Sequence, residues 1–451
     1  MRSIPLQPTP LRCEVVRDFG RLQEFCSDWA RLWKSDSQAE IFQTPEWAIA
    51  WWCSFGNGCA LCSLVVFAED EVVGIVPLVM RDGVIRFLGT PEADYADIVC
   101  EDKWAEQVLA IAFKTLRESV AGWSECVWQH LSKNSRVMRH YQGVPRQLLG
   151  NFHCLATEGY QTILFQDNRD AVFSSLLGKK HTRRRRNKLQ KAGQVRFRQL
   201  ETQEATGTCL DDFFRHHVRR HAAIGRKSVY AAPESCQFIT TLIEKLGPAV
   251  RFGVLELDGR PLAWHFGFQV NGKFLLYQHT FDLDASEYTP GELLLWNLFE
   301  YARDHVAREF DFGKGSEPYK SRFANHTRET FSLFIEPSGW KGRSRGLTRR
   351  IQADILPYLS NLKDTAKSHR AVLRAFRSIR KWMVGVPGTA RPVEKNDDFA
   401  NHGLRMTDKK FENSVRTEKP PDRFAPETPR TGDESPAVSP QSQHCNPHTG
   451  S

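Results

Sequence analysis

Two dipeptide turns define the most constrained part of the chain. Asp258-Gly259 and Asn271-Gly272 each separate two apolar runs, so residues 251–281 fall into three segments. Asp-Gly and Asn-Gly tolerate the positive φ angles of tight hairpin turns, and they are the strongest short hairpin signals. The sequence therefore predicts a three-stranded antiparallel meander, with strands over 251–257, 261–270 and 273–281.

A helix whose N-terminus suits an anion is predicted directly after the meander. Thr289 is the predicted N-cap, and Glu292 completes a capping box. Pro290 falls at the first helical position, and Gly291 adds no side chain. Most capped helix starts bind only water. The backbone N–H groups and the dipole of such an end nevertheless favour phosphate. The helix is predicted to end near residue 304.

The order of meander, helix and strand is predicted twice. The first copy consists of strands over 61–68, 72–80 and 84–88, a helix over 103–119 and a strand over 125–131. In the second copy, a strand over 309–313 follows the helix that begins after Thr289. The first helix starts at Cys100-Glu101-Asp102-Lys103, whose acidic side chains would repel phosphate. We therefore expect only the second copy to bind an anionic cofactor, beside a splayed sheet edge that also holds a thioester.

The positive charge of the chain is concentrated in two segments. Residues 341–384 contain 12 Lys/Arg and 2 Asp/Glu, and residues 179–191 contain 8 Lys/Arg and no acids. Together these segments exceed the net charge of +9, so the remainder of the chain is acidic. This distribution argues against a protein that coats nucleic acid with its whole surface. The 179–191 run is either a solvated or phosphate-contacting helix, or a contact for tRNA or an anionic membrane surface.

The cysteines and the apolar runs indicate a cytoplasmic protein without a transmembrane segment. The 11 Cys are odd in number and mostly lie in apolar runs, as reduced thiols do. Residues 47–68 carry no charge, but Gly56-Asn57-Gly58 interrupts them, which favours a helix, a turn and a strand over a membrane span. The N-terminus lacks the apolar core of a signal peptide.

The domain organisation follows from the repeated order and from composition. We predict an N-terminal half over 1–165 and a C-terminal half over 166–340. A basic helical extension over 341–386 and a disordered tail over 387–451, rich in Pro, Ser and Thr, follow.

Several motifs, in a characteristic order, resemble a known family. They are Phe87-Leu88-Gly89 with Asp94-Tyr95-Ala96-Asp97, the Arg183–Arg186 run, Phe281-Asp282 with Tyr288-Thr289-Pro290-Gly291, and Phe310-Asp311-Phe312-Gly313-Lys314-Gly315-Ser316-Glu317-Pro318-Tyr319-Lys320. Over roughly residues 15–335 the chain resembles the GNAT-type acyltransferases of the CelD-like group, named for cellulose biosynthesis, which are related to FemAB-type tandem-GNAT transferases. Two positions depart from the family: Phe323 stands where Trp is frequent, and Thr289 replaces the more usual Ser.

The resemblance implies an α/β fold of the mixed α+β kind, with two GNAT-like halves in tandem. It also implies an N- or O-acyltransferase that uses acetyl-CoA or another acyl-CoA, and a small-molecule or saccharide acceptor. The predicted cofactor-binding residues are Phe281, Thr289, Pro290, Gly291 and Glu292.

Acyl transfer from a thioester needs oxyanion donors, a base for the acceptor and an acid for the leaving thiolate. Strand-edge N–H groups near 279–281 are the hypothesis for the oxyanion. The predicted catalytic residues are Asp311, Glu317, Tyr319 and Lys320. Tyr319 would protonate the thiolate, Glu317 would act as base directly or through water, and Lys320 would pair with a phosphate or an acidic acceptor. In the alternative interpretation, Asp311 and Lys320 merely cap and tether the chain.

The acceptor is predicted to bind between the halves. Asp94, Tyr95 and Asp97 are the candidate lining residues, and an Asp-rich turn is the alternative interpretation. His265 lies on a predicted central strand, where a core histidine is the alternative to a substrate-binding one. We predict no metal site, because His216 and His217 are adjacent on a helix and face different directions.

Three functions follow from these observations. The first is an acyl-CoA-dependent acyltransferase, serving cellulose or exopolysaccharide production. The second is a FemAB-like transferase that takes an aminoacyl group from tRNA. The third is a non-catalytic module of a membrane-bound polysaccharide-synthesis assembly, with contacts through 341–384 and the tail. Peripheral contact with a membrane or another anionic partner is expected through 179–191 and 341–384.

Overall fold

The computed structural model describes residues 10–165, 169–177, 180–200, 205, 207–306, 308–315 and 317–337. The predicted basic extension (341–386) and the predicted disordered tail (387–451) lie outside the described residues.

The helices of the described residues, in chain order, are α1 (Phe19–Glu24), α2 (Cys26–Lys34), α3 (Pro45–Phe55), α4 (Ala105–Ser119), α5 (Arg136–His140), α6 (Arg146–Leu149), α7 (Arg169–Leu177), α8 (Lys180–Ala192), α9 (Thr208–Ala223), α10 (Pro233–Leu246), α11 (Pro290–His305) and α12 (Pro318–Ser321). The strands are β1 (Leu11–Val16), β2 (Ala60–Leu61), β3 (Ser63–Ala68), β4 (Glu71–Val76), β5 (Leu78–Arg81), β6 (Val84–Phe87), β7 (Val99–Cys100), β8 (Glu125–Ser132), β9 (Asn151–Ala156), β10 (Tyr160–Leu164), β11 (Val195–Leu200), β12 (Val250–Leu257), β13 (Arg260–Val270), β14 (Lys273–Phe281), β15 (Glu309–Asp311), β16 (His326–Arg328) and β17 (Thr330–Glu336). The described elements form a mixed α/β fold, as predicted.

The predicted meander is confirmed. Strands β12, β13 and β14 are antiparallel neighbours, and the turns between them place Asp258 at φ 51° and Asn271 at φ 47°. Each of these residues is followed by a glycine that also has a positive φ. The turn residues therefore adopt the left-handed conformation that Asp, Asn and Gly tolerate best.

Three hydrogen-bonded sheets contain these strands. The C-terminal half has the strand order β11-β12-β13-β14-β15-β10-β16, in which β14 and β15 are parallel. The N-terminal half has the orders β1-β3-β4-β7 and β2-β5-β6-β8-β17-β9, in which β6 and β8 are parallel. Each half thus combines an antiparallel hairpin or meander with a parallel strand that follows a helix.

Strand β17 comes late in the chain but completes a sheet of the N-terminal half. It lies between β8 and β9 and is antiparallel to both. Strand β10, near the predicted boundary at residue 165, instead lies between β15 and β16 of the C-terminal half. The predicted division of the chain stays a prediction, and these two strands cross it in opposite directions.

An aromatic cluster connects the halves on one side. Trp47 of α3 is fully buried, and its ring lies 5.1 Å from that of Phe238 on α10 and 5.8 Å from that of Tyr277 on β14. The helix α3 starts at a capping motif, in which the Thr44 hydroxyl accepts a hydrogen bond from the backbone N–H of Trp47 and Pro45 occupies the first helical position. A local capping motif thus sets the direction in which Trp47 enters the shared core.

A group of largely buried charges also connects the halves. Arg328 of β16 pairs with Glu40 of the N-terminal half at 2.7 Å and with Glu309 of β15. Lys273 of β14 reaches the same Glu40 carboxylate at 2.7 Å. We call Glu40, Lys273, Glu309 and Arg328 the seam cluster. Side chains removed from water in this way are stable only while each charge keeps its partners.

Removal of Arg328, the central cation of the seam cluster, should destabilise the folded protein strongly. Arg328→Met should lower the free energy of unfolding by roughly 3–5 kcal/mol, because it leaves buried carboxylates without a counter-charge. Arg303→Met is the matched control, since Arg303 pairs with Asp304 on the surface and such pairs contribute about 1 kcal/mol or less. Urea denaturation of both variants measures the difference. Equal losses in the two variants would show that the seam cluster does not stabilise the fold.

Candidate active site

The pairing of β14 with β15 ends early at the centre of the C-terminal sheet. The two strands are in register from Lys273 to Leu275, and β14 then continues for six residues to Phe281. Gly313, just after β15, is still close to β14, since an added Cβ would lie 3.3 Å from the carbonyl oxygen of Leu276. We call β14 beyond Leu275, together with the chain after β15, the donor wedge.

The N-terminus of α11 lies beside the donor wedge. Gly291, in its first turn, is so near the ring of Phe281 that an added Cβ would lie 3.1 Å from Cδ1. Pro290 occupies the first helical position, as predicted, and it is buried. The predicted cofactor residues Phe281, Pro290 and Gly291 therefore come together at one end of the wedge.

The predicted capping box at this helix is wrong. Thr289 is the N-cap, but it has φ 51° and ψ 52°, and among the described residues its hydroxyl forms no capping hydrogen bond. A capping side chain needs the extended backbone of an ordinary N-cap, whereas the short 3₁₀ helix over 283–288 leads into Thr289 in the left-handed conformation. The carboxylate of Glu292 is paired with Arg185 instead.

The basic helix α8 is docked on α11. Besides Arg185, its Arg186 pairs with Glu300 at 2.9 Å, and Lys188 pairs with Glu287 at 3.1 Å. Lys179, also part of the basic run, lies outside the described residues. Part of the positive charge of this helix is therefore used to hold it against the helix that borders the donor wedge. Arg183 and Arg184 are exposed.

Asp311 is buried at the end of β15, where the wedge begins. Its carboxylate accepts hydrogen bonds from the Tyr95 hydroxyl at 2.7 Å and from the Gly313 N–H at 2.7 Å. Burial raises the pKa of Asp311, and the Arg328 guanidinium opposes that rise. These contacts agree with the tethering interpretation of Asp311, because each of them fixes the chain around the wedge.

Lys320 and Glu317 form a buried pair next to the same loop. The Lys320 ammonium forms an ion pair with the Glu317 carboxylate at 2.6 Å and donates a hydrogen bond to the carbonyl oxygen of Lys314 at 2.8 Å. Only 3% of Lys320 is exposed, so its charge is directed at the protein and not at solvent. The pair holds the Gly313–Gly315 loop, which agrees with the tethering interpretation of Lys320.

Tyr319 is the predicted catalytic residue with the most direct relation to the wedge. Its ring lies 6.0 Å from that of His279, in the part of β14 that extends past β15. It also contacts Phe312 edge-on at 6.4 Å, and 7% of the residue is exposed. A tyrosine at this place can donate a proton to a group lying along β14.

A cleft between the halves contains two of the predicted acceptor residues. Its cavity volume is about 60 Å³, and Tyr95 and Asp97 line it together with Arg136, Lys273 and Arg328. We call it the acceptor cleft. Asp97 accepts the N–H groups of Arg136 at 2.7 Å and Val137 at 3.0 Å, while its burial raises its pKa to about 6. Asp94 accepts the Lys314 N–H at 3.1 Å on the other side of Tyr95.

His265 is placed apart from these residues. It is fully buried on β13, with its ring stacked on Phe274 at 5.2 Å. Burial lowers its pKa to about 3, so the ring is neutral at physiological pH. This environment matches the core-histidine interpretation.

The family model described as "Acetyltransferase (GNAT) domain" matches residues 178–321. This segment contains α8, the meander, α11, the donor wedge and Tyr319. The predicted mixed α/β fold with a GNAT acetyltransferase domain is confirmed. No curated protein matches the chain.

Solved structures that are similar to this chain include the following three. The structure of FemX has a TM-score of 0.49 and 11% identity, and covers 71% of this chain and 96% of its own. A tandem GNAT protein from the clavulanic acid biosynthesis pathway has a TM-score of 0.41 and 13% identity, covering 73% and 100%. L-PGS from Bacillus licheniformis has a TM-score of 0.40 and 10% identity, covering 70% and 97%. All these scores lie below one half, so the similarities carry no argument about substrate.

Several residues of the site could not be found from the sequence. Glu40, Lys273 and Arg328 come from three distant stretches and meet only in the folded chain. The same holds for His130, which contacts Lys314 across the two halves. Their local sequence contains no motif, so these residues are recognised only by their burial and their partners.

Within the described residues, no helix has both the length and the apolarity that crossing a bilayer requires.

The His265 environment predicts how stability changes with pH. The folded state keeps this ring neutral down to about pH 3, whereas the unfolded chain takes up a proton below about pH 6.5. The stability that comes from burying the neutral ring is therefore present above pH 6.5 and is lost as the pH falls. Between pH 7 and pH 5, wild type should lose roughly 2 kcal/mol more unfolding free energy than His265→Phe. Denaturant unfolding at both pH values measures this, and identical losses would contradict the neutral buried ring.

Proposed function

We propose that this protein transfers an acyl group from acyl-CoA, with acetyl-CoA as the first donor to test, to an amine or hydroxyl acceptor. The observation that carries the proposal is the end of the β14–β15 pairing at Leu275, beside the N-terminus of α11 and inside the segment that matches the GNAT domain. A strand edge next to a helix N-terminus offers main-chain donors for a thioester arm and a positive end for a pyrophosphate.

The charges around the start of α11 support an anionic donor. Arg185 is half-buried here, and its pKa is lowered by burial and, to a smaller extent, by the nearby guanidinium of Arg322. The Arg185 guanidinium is already paired with Glu292, and a phosphate placed near Arg185 and Arg322 would add a second anionic partner for both. The first turn has no room for a side chain at position 291, because an added Cβ would lie 3.1 Å from the Phe281 ring.

The candidate chemistry uses Tyr319 and Glu317. The acceptor nitrogen or oxygen attacks the thioester carbonyl carbon, a new N–C or O–C bond forms, and the C–S bond breaks. Glu317 receives the acceptor proton directly or through water, and Tyr319 gives a proton to the departing thiolate. Asp311 and Lys320 position this arrangement through their contacts with Tyr95, Gly313 and the Lys314 carbonyl.

The acceptor cleft supplies both signs of charge for the second substrate. Arg136 pairs with Asp36 there, and Lys273 and Arg328 pair with Glu40. Polar acceptors with several hydroxyl or amino groups suit such a lining, because it offers donors and acceptors close together. We choose cello-oligosaccharides and glucosamine as the first acceptors to test, since the resemblance implies a role in cellulose or exopolysaccharide production.

Binding of the donor is tested by changing the first turn of α11. Wild type should bind acetyl-CoA in a calorimetric titration, and Gly291→Glu should weaken binding by about tenfold or more, because it adds a negative charge at the helix N-terminus. Gly291→Ala is the control that adds a Cβ without charge. If wild type binds no acyl-CoA, the proposed function is wrong. If Gly291→Glu binds as tightly as wild type, the phosphate lies elsewhere.

A second candidate function is aminoacyl transfer from tRNA. The observation that favours it is the exposed pair Arg183 and Arg184, on a helix whose Arg185 and Arg186 are already paired with Glu292 and Glu300. A phosphate backbone needs such exposed cations.

The third interpretation, a non-catalytic assembly module, depends on residues 341–451 and stays a prediction. Acyl-CoA turnover would contradict it.

The two arginine pairs separate RNA binding from structural support. If tRNA is the donor, Arg183→Ala/Arg184→Ala should weaken tRNA binding about tenfold and reduce its salt dependence, because each lost phosphate contact lowers the slope by about one. The thermal midpoint should not change. Arg186→Ala is the control, since its guanidinium pairs with Glu300. Filter binding at several salt concentrations measures this. No salt-dependent tRNA binding by wild type would exclude the candidate.

A further inference from the structure

His130 in β8 has a strained backbone, and its side chain contacts Lys314 in the loop next to the donor wedge. Two residue steps on β17, from Phe331 to Leu333, face three on β8, from Leu131 to Trp128, so β8 contains one extra residue. His130 lies in this bulge and has φ 61°. A side-chain-bearing residue in the left-handed region is strained, and bulges of this kind redirect a side chain next to active sites.

The imidazole of His130 joins the two halves of the chain. Its Nε2 lies 3.0 Å from the Lys314 ammonium nitrogen, and its Nδ1 lies 2.7 Å from the hydroxyl oxygen of the buried Tyr160. Its carbonyl oxygen accepts the N–H of Ala96 at 3.0 Å, in the stretch that also holds Asp94 and Tyr95. An ammonium group has no acceptor, so Lys314 donates and His130 accepts at Nε2.

Lys314 is fixed at its backbone as well as at its side chain. Its N–H donates to Asp94 at 3.1 Å, and its carbonyl oxygen accepts from Lys320 at 2.8 Å. The preceding residue must be glycine, because Gly313 has φ 66° and a Cβ there would lie 2.6 Å from the Asp94 carboxylate. The Gly313–Gly315 loop is thus held between β14 and the 94–97 stretch.

We propose that His130 is a positioning residue for acyl transfer, which holds the Lys314 ammonium, and the Gly313–Gly315 loop with it, where the donor wedge meets the acceptor cleft. This inference rests on the proposed function, because it assigns the loop to the place where donor and acceptor meet. It explains why the chain keeps a strained backbone at His130: the extra residue in β8 brings the ring to Lys314 and Tyr160. Relief of the strain should therefore lower activity.

The test uses His130→Gly, which removes the ring and relieves the backbone strain together. Its thermal midpoint should equal or exceed that of wild type. Its Kd for acetyl-CoA should stay within about twofold, while kcat for acetyl-CoA consumption falls about tenfold or more. Added imidazole should restore at least about a third of the lost rate, because it can occupy the vacated space between Lys314 and Tyr160. Glu69→Gly is the matched control, since Glu69 also has a positive φ but lies in the β3–β4 turn. It should leave kcat unchanged.

A readout that needs no substrate tests the contact itself. Trinitrobenzenesulfonate labelling followed by peptide mass spectrometry should modify Lys314 several-fold faster in His130→Gly than in wild type, while the exposed Lys103 reacts equally in both. Lys314→Met should reduce kcat as much as His130→Gly, and the double variant should lose no more than either, because the two residues act as a unit.

The outcomes separate this inference from the proposed function. Faster Lys314 labelling with an unchanged kcat in His130→Gly would overturn the positioning role while acyl transfer stands. Unchanged labelling would overturn the contact. If wild type neither binds nor consumes acetyl-CoA, the proposed function fails, and the catalytic part of this inference fails with it. Loss of the thermal transition together with kcat in His130→Gly would also overturn the proposal, since a purely structural histidine predicts that result.

Discussion

The joining of the two halves depends on the ion pairs of the Arg328 guanidinium. It is the cation between Glu40 from the N-terminal half and Glu309 from the C-terminal half, and it lies 4.7 Å from the centre of the Tyr95 ring. Burial opposes its charge, but Tyr95, Glu40 and Asp311 together raise the pKa of Arg328 above its usual value. Its position follows from the chain path: β16 ends at Arg328 in one sheet, and β17 begins two residues later in the other.

The same contacts arrange the candidate active site. The ring of Tyr95 contacts the Arg328 guanidinium, and its hydroxyl donates a hydrogen bond to Asp311, the last residue of β15. The donor wedge begins at that point, and the acceptor cleft lies on the side of Tyr95 that faces Arg136 and Lys273. The proposed donor and acceptor sites would therefore share one hydrogen-bonded wall. In the proposed reaction Asp311 and Lys320 act through the positions that they give to other groups, whereas the ring of Tyr319 contacts His279 of β14.

The sequence predicts local structure well where turn and capping residues act over a few positions. Asp258-Gly259 and Asn271-Gly272 define the meander, and Pro290 marks the start of α11, since these effects depend on the backbone of one or two residues. The capping box failed because the preceding 3₁₀ helix sets the conformation of Thr289. The insertion of β17 between β8 and β9 escaped prediction because pairing partners distant in sequence leave no local signal. The seam cluster and His130 escaped for the same reason.

Hydrogen–deuterium exchange with and without acetyl-CoA shows whether the donor wedge binds the cofactor, because it locates the donor without requiring an acceptor. We expect slower exchange in the peptides that contain residues 276–281 and 290–293, with no change at residues 100–106 at the start of α4. Protection at residues 100–106, or binding without protection along β14 and the first turn of α11, would contradict the donor wedge as the cofactor site.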